Sequence, residues 1–260
     1  MDILWLLTDR YRSASMGGMT SLKGKRALVT SGSRGIGAAI VRQFLDSGAD
    51  VVTTARTATD ETPDGARFIE ADVRTRAGVS ALAESAVDIL GGVDILVNNA
   101  GAGRVHLTGP AGIPDEDWQD SLDINFLSSV RLDSLLLPQM RERRSGAIVH
   151  ISTAAVLTPA GPMLHYVSAK AALDTYSRGL ALAAASDGVR VNIVAPGNVS
   201  TPGANFFRSH FGDPAPDTAP LGRIGQPDDV AGMVSFLVSD QAAWITGRWF
   251  IVDGGEFPAA

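Results

Sequence analysis

The chain has 260 residues, 45% hydrophobic and 19% charged, with a formal net charge of -6 and no cysteine. That length buries a core without disulfide or metal staples, and the missing cysteine removes disulfides and thiolate zinc sites while suiting a reducing cytoplasm. The acidic balance argues against a nucleic-acid partner, no apolar run approaches the ~20 residues a bilayer demands, and His106, His150, His165 and His210 lack metal-ligand spacing, so no metal is expected.

Residues 1–21 read as a flexible N-terminal extension. The apolar run ILWLL is too short for a signal core, follows an acidic residue and precedes no clean cleavage site. From Arg26 the chain alternates short β-rich runs with helical patterns. RALVT (26–30) is an apolar strand, and GAAIVRQFLDSG (37–48) has apolar residues at helical spacing and ends on glycine. Further strands are expected at 50–55, 67–71, 94–99, 147–152, 189–196 and 248–255. Helices are expected at 77–90, at 115–144 with an interruption at Pro138, at 165–185 and at 227–239. RERR (141–144) reads as the cationic last turn of its helix. Strands alternating with helices imply βαβ units. The expectation is a single α/β domain over residues 22–260, a doubly wound Rossmann fold with a parallel sheet and helices on both faces. Ligands of such sheets bind beyond the carboxyl ends of the strands, so chemistry is expected at those ends.

The first strand runs into TSGSRGIG (30–37), a glycine-rich turn between strand and helix, the context of a pyrophosphate site. Its candidates are Ser31, Gly32, Ser33, Arg34, Gly35, Ile36 and Gly37. The second strand ends TTAR, with Ala55 where an NAD site has a carboxylate for the ribose hydroxyls. Arg56, supported by Arg34, can instead hold a 2′-phosphate bidentately, so the expected cofactor is NADP(H). The third strand ends at Asp72-Val73, where Asp72 accepts from the adenine amino group or caps the next helix. The fourth ends NNAG (98–101), with Asn99, Ala100 and Gly101 leaving room for a flat ring and Asn98 taking a structural role. YVSAK (166–170) puts the Tyr166 phenol and the Lys170 ammonium on one helix face. The positive charge is expected to lower the tyrosine pKa.

Taken in order, the glycine loop, Asp72, NNAG, DINF with Asn125, IST (151–153), YVSAK, APGNVST (195–201) and VDGG (252–255) run over nearly the whole chain. On these motifs residues 22–256 resemble the short-chain dehydrogenase/reductase family. The resemblance implies that Tyr166 is the general acid or base. Lys170 would hold the nicotinamide ribose, Asn125 would hold a water leading to solvent, and Pro196, Gly197, Val199 and Thr201 would pass the nicotinamide. Two positions depart from the family pattern: Ser31 replaces a glycine, and the substrate-binding hydroxyl falls on Thr153, with Ser152 as the alternative.

The segment 201–222 is expected to be a long loop whose Phe206, Phe207 and Phe211 line an apolar substrate pocket. Arg104 and His106 are candidates for a polar or acidic substrate group. The substrate class is a ketone or secondary alcohol, with the identity open among thioesters, sugars, steroids and polyketide-type ketones. Small residues Ala169, Ala172, Ala183 and Ala184 on the 165–185 helix suggest close helix contact between copies, and the family resemblance points to a homotetramer. The competing readings are a nucleotide-sensing protein without catalysis and an NAD-linked dehydrogenase.

Overall fold

The computed structural model describes residues 21–159, 161–211 and 219–257, except the side chains of Phe206, Phe207, His210 and Phe211. The expected extension, apart from Ser21, and the expected pocket phenylalanines therefore lie outside the described part. The elements in chain order are β1 (Arg26–Thr30), α1 (Gly35–Asp46), β2 (Asp50–Ala55), β3 (Arg67–Glu70), α2 (Arg76–Leu90), β4 (Ile95–Asn98) and α3 (Asp115–Leu122). After a π turn (Asp123–Leu127) come α4 (Ser128–Glu142), β5 (Gly146–Ile151), α5 (Leu164–Ala184), β6 (Val189–Pro196), α6 (Pro202–Phe211), α7 (Pro227–Val238) and β7 (Trp249–Val252).

All seven strands pair in parallel, in the order β3-β2-β1-β4-β5-β6-β7. Alternate strand residues face opposite ways. Ala27 and Val29 of β1 join a core with Ile40 and Phe44 of α1 and Val234 and Leu237 of α7. Leu28 joins a second core with Leu82 of α2 and Leu132, Leu136 and Met140 of α4. Burial on both faces explains why the strands read as continuous apolar runs rather than alternating ones. The order of connection reverses between β1 and β4, which opens a crevice above their carboxyl ends.

Three expectations are corrected. Pro138 does not interrupt its helix: α4 runs through it, because Pro138 and Ser134, whose carbonyl loses its partner, both face solvent. The irregularity falls instead at the π turn around Asn125. Residues 202–211, expected as loop, form α6, started by Pro202 and by Thr201 Oγ1 accepting from Ala204 N at 3.1 Å. Of the four alanines expected to meet another copy, Ala169 and Ala184 are fully buried within the chain, because they sit on the inward stripe of α5; Ala183 is exposed and Ala172 half-buried.

Candidate active site

At the β1 end the chain turns so tightly that each glycine has a steric reason. A β-carbon on Gly37 would lie 2.1 Å from the Ser31 carbonyl oxygen, and one on Gly32 would lie 2.0 Å from Thr53 Oγ1. Ser31 adopts φ of 54°, a left-handed conformation that suits glycine and costs other residues ~1–2 kcal/mol. Asn99 holds it there: its Nδ2 donates to the carbonyls of Thr30 at 3.1 Å and Ser31 at 3.2 Å. Thr30 Oγ1 in turn accepts from the backbone of Asn99 and Ala100, both at 2.9 Å, so the ends of β1 and β4 form one unit.

Helix α1 opens with Arg34 as its cap residue, which offers no side-chain hydrogen bond, and its first turn carries no acid. Its positive end receives an anion from elsewhere in the chain: the Glu61 carboxylate accepts from Gly35 N at 3.2 Å. Thr59, which donates to the Ser33 carbonyl, ties that loop down. A carboxylate oxygen here stands in for a phosphate oxygen, so the cradle fits the pyrophosphate of a dinucleotide. The sequence does not reveal Glu61, which lies six residues beyond β2 on a loop whose return nothing local shows.

Arg34 and Arg56 are exposed, and their guanidinium groups have no hydrogen-bond or ion-pair partner among the described residues, which leaves both free for an added phosphate. Asp72 is not the cap of α2. Thr75 holds that position, accepting from Gly78 N at 2.9 Å, while Asp72 closes a turn by accepting from Arg74 N at 3.0 Å. Val73 is buried in the second core, and Ile36 packs partly on the first. On the far side, Thr201 reaches back over the glycine loop, its Cβ 3.4 Å from where a Gly35 β-carbon would stand. Gly197 packs against Asp253, leaving no room for a side chain, and Asn198 N donates to Glu256 at 2.8 Å. Val199 is bridged to Gly225. Thus Thr201, at the end of the segment from Pro196, stands against the glycine loop Ser31 to Gly37 at the crevice above the strands' carboxyl ends.

The chemistry-bearing side chains come from three elements. Lys170, 2% exposed, donates from Nζ to the Ile151 carbonyl at 2.7 Å. Asn125, fully buried in the π turn, accepts from Ala102 N at 3.1 Å and donates to the Ala102 carbonyl at 2.7 Å. A β-carbon on Gly101 would touch both, 3.1 Å from Asn125 Oδ1 and 3.4 Å from Lys170 Nζ. The turn beyond β5 sends Thr153 and Ser152 different ways. The Thr153 hydroxyl faces Tyr166 closely enough to favour its phenolate, whereas Ser152 is buried near Asp174.

Burial dominates the ionisation of this group. The Tyr166 phenol is pushed up to about 12 by burial, opposed by Thr153 and assisted by the Asp174 charge. This differs from the expected lowering by Lys170: the loss of solvent is the largest influence, and the Asp174 charge adds to it. Burial takes Lys170 down to about 8, with Asp174 pulling it back up. Arg104 and His106, expected to face a substrate, turn to Asp117 instead. Arg104 donates to Asp117 at 2.7 Å, and His106 Nε2 lies 3.0 Å from its other oxygen, short of a directed hydrogen bond. Among the described residues no group of three metal-ligating side chains gathers, and no helix is long and apolar enough to cross a membrane.

The chain is similar to known proteins over most of its length. A family profile described as enoyl-(acyl carrier protein) reductase matches residues 31–256. The 3-oxoacyl-[acyl-carrier-protein] reductase of Vibrio cholerae is 34% identical over 243 residues, 91% of this chain and 99% of that protein. L-fucose dehydrogenase of Mus musculus is 36% identical over 255 residues, 92% of this chain and 91% of its own. A solved structure described as ribose-5-phosphate isomerase from Brucella melitensis superposes with a TM-score of 0.85 at 31% identity, covering 93% of this chain and 95% of that one. The chain belongs to the short-chain dehydrogenase/reductase family, and with it to the oxidoreductases acting on CH–OH or C=O groups.

Proposed function

We propose that the protein is an NADP(H)-dependent oxidoreductase for a ketone or secondary alcohol, with Tyr166 as general acid or base. The observation that carries the reading is the convergence of Thr153 and Tyr166 at the β5 end of the cleft, with Lys170 and Asn125 buried behind Gly101. A fold shared with a protein described as an isomerase does not set the chemistry, but this set of side chains has a use in proton transfer that a sensor would not need.

The bound nicotinamide would supply or accept the hydride. The chain's part is to orient and to move one proton. In reduction the protonated Tyr166 gives its phenolic hydrogen to the substrate oxygen, which the Thr153 hydroxyl holds in hydrogen-bond range. Lys170 supplies positive charge behind the phenol, and Ser31 to Gly37 fix the other end of the cofactor on α1. The preference for NADP(H) is supported by the unpaired Arg34 and Arg56 and by Ala55, which puts no carboxylate at the ribose.

Purified protein incubated with NADPH, and separately with NADH, against ketones spanning acyl thioesters, sugars and steroids should oxidise NADPH with at least one of them. No turnover with either cofactor on any ketone would overturn the reading. A cytoplasmic location is proposed from the cysteine-free sequence. A homotetramer is also proposed, through the face of α5 that leaves Ala183 and Leu182 exposed. Light scattering at micromolar concentration should give four chain masses; a single-chain mass would reject it.

A further inference from the structure

Helix α5 carries a third polar residue on the stripe of Tyr166 and Lys170. Asp174 follows Lys170 by one turn and is only 5% exposed, and its Oδ1 has no hydrogen-bond partner. Ser152, just past the end of β5, is 4% exposed, and its hydroxyl is likewise unpartnered. Unsatisfied buried oxygens are rare in folded proteins, and each costs ~1–3 kcal/mol. One lies a helical turn from a buried ammonium and the other next to the carbonyl that this ammonium bonds, which asks for a reason beyond packing.

The ammonium supplies that reason. Lys170 has three donors, and its one hydrogen bond among the described residues goes to the carbonyl of Ile151, next to Ser152. A lysine buried to this degree sheds its proton unless a negative charge faces it. The groups acting on Asp174 are Lys170 and Arg178 from its own helix and Ser152 and His150 from the β5 side. Of these, Ser152 is the strongest in keeping the carboxylate ionised, although it stands short of a full hydrogen bond. Toward Lys170, Asp174 is the one carboxylate among the described residues that opposes the effect of burial.

We propose that Asp174 is a positioning residue for the reaction, a buried counter-ion that keeps the Lys170 ammonium protonated while Ser152 keeps Asp174 ionised. The use of that charge in turnover rests on the reading of Lys170 given under the proposed function; the charge coupling itself does not. Ser152 and Thr153, adjacent hydroxyls, then divide two tasks: Thr153 serves the substrate side and Ser152 the charge behind it. A surface Lys–Asp pair at this spacing would contribute little. Here both members are out of water, where a charge pair acts strongly.

The sequence makes the test direct, because it contains only three lysines: Lys23, Lys25 and Lys170. Protein labelled with 13C at the lysine ε-carbon should give three signals, that of Lys170 being identified by its loss in Lys170→Met. Titrated without cofactor or substrate, the Lys170 signal should have its midpoint near pH 8 in the wild type. Asp174→Asn and Asp174→Ser should each lower the midpoint by about one unit, and Asp174→Glu should restore it. Two neutral variants are used so that a folding failure of one leaves the other to decide. Turnover in Asp174→Asn should begin to fall at a correspondingly lower pH, with KM for NADPH at pH 6.5 close to wild type. A Lys170 midpoint unmoved in a folded neutral variant overturns the proposal. Failure to reduce any ketone would overturn the enzymatic reading and leave the titration result standing.

Discussion

Tyr166 and Lys170 sit on one helix face, yet burial moves them in opposite directions, the phenol up to about 12 and the ammonium down to about 8. The phenol therefore stays protonated through the neutral range and is ready to donate, which suits carbonyl reduction. Lys170 is the member that changes charge first, so the reduction rate should be level near neutrality and fall as pH rises through about 8. A rate that keeps rising beyond that point would contradict the assignment. Tyr166→Phe should lose ~10²–10⁴-fold in turnover while NADPH still quenches protein fluorescence at nearly the wild-type concentration. At the cofactor's other end two charges compete. Arg56→Ala should raise KM for NADPH about ten- to a hundred-fold, the value of one charge-assisted phosphate contact, and leave KM for NADH almost unmoved. Glu61→Gln should do the reverse for binding: it removes the carboxylate that occupies the α1 terminus, so NADPH should bind more tightly, as titration calorimetry can measure. Arg56 stands out in the sequence at the TTAR ending. Glu61 does not, because its contact spans 26 residues of chain.

The β-strands and α1, α2, α5 and α7 were legible to within a few residues, because apolar periodicity and glycine punctuation are local signals. Elements whose form depends on what surrounds them were not. The π turn at Asn125 widens the helix where Asn125 bonds the loop after β4, and no periodicity reveals that. Pro138 reads as a break from its intrinsic cost, and the sequence does not show that Ser134, whose carbonyl it leaves unpaired, faces water. The glycine loop shows the same division. Gly37 was expected from its motif, but its reason is tertiary: the Ser31 carbonyl, pinned by Asn99, occupies the space of any side chain. Gly37→Ala should therefore force the β1–α1 turn and the β4 end apart, at ~1–3 kcal/mol for an overpacked site. It should also abolish detectable NADPH binding in thermal-shift assays. If the variant bound NADPH normally, the β1–α1 turn would not be the cofactor cradle.

Across the whole molecule, one sheet brings the residues of the site together at the strands' carboxyl ends, and burying them there carries a stability cost. Asp174 has its carboxyl raised from 3.8 to about 6, so the folded state binds more protons than the unfolded one between those values. Its contribution is intact below about pH 4 and is lost as pH rises through 6. Lys170 is lowered from 10.5 to about 8, so between those values the unfolded state binds more protons. Its contribution is intact above about pH 10.5 and is lost as pH falls through 8. From pH 6 to 8 both groups are charged in the interior and both oppose folding, in the range where the proposed reaction needs Lys170 charged. Replacing two buried charges by neutral groups is often stabilising by 1–4 kcal/mol. The double variant Lys170→Met/Asp174→Asn should accordingly unfold at higher denaturant than wild type at pH 7, by about that amount at fixed protein concentration, while losing turnover. Its advantage should shrink as the pH is lowered from 6 toward 4, where Asp174 in the wild type takes up its proton, and as it is raised from 8 toward 10, where Lys170 gives its proton up. Denaturant curves at pH 4.5, 7 and 9.5 decide the matter: a double variant less stable than wild type at pH 7, or an advantage independent of pH, would show that these two charges are not what the fold works against.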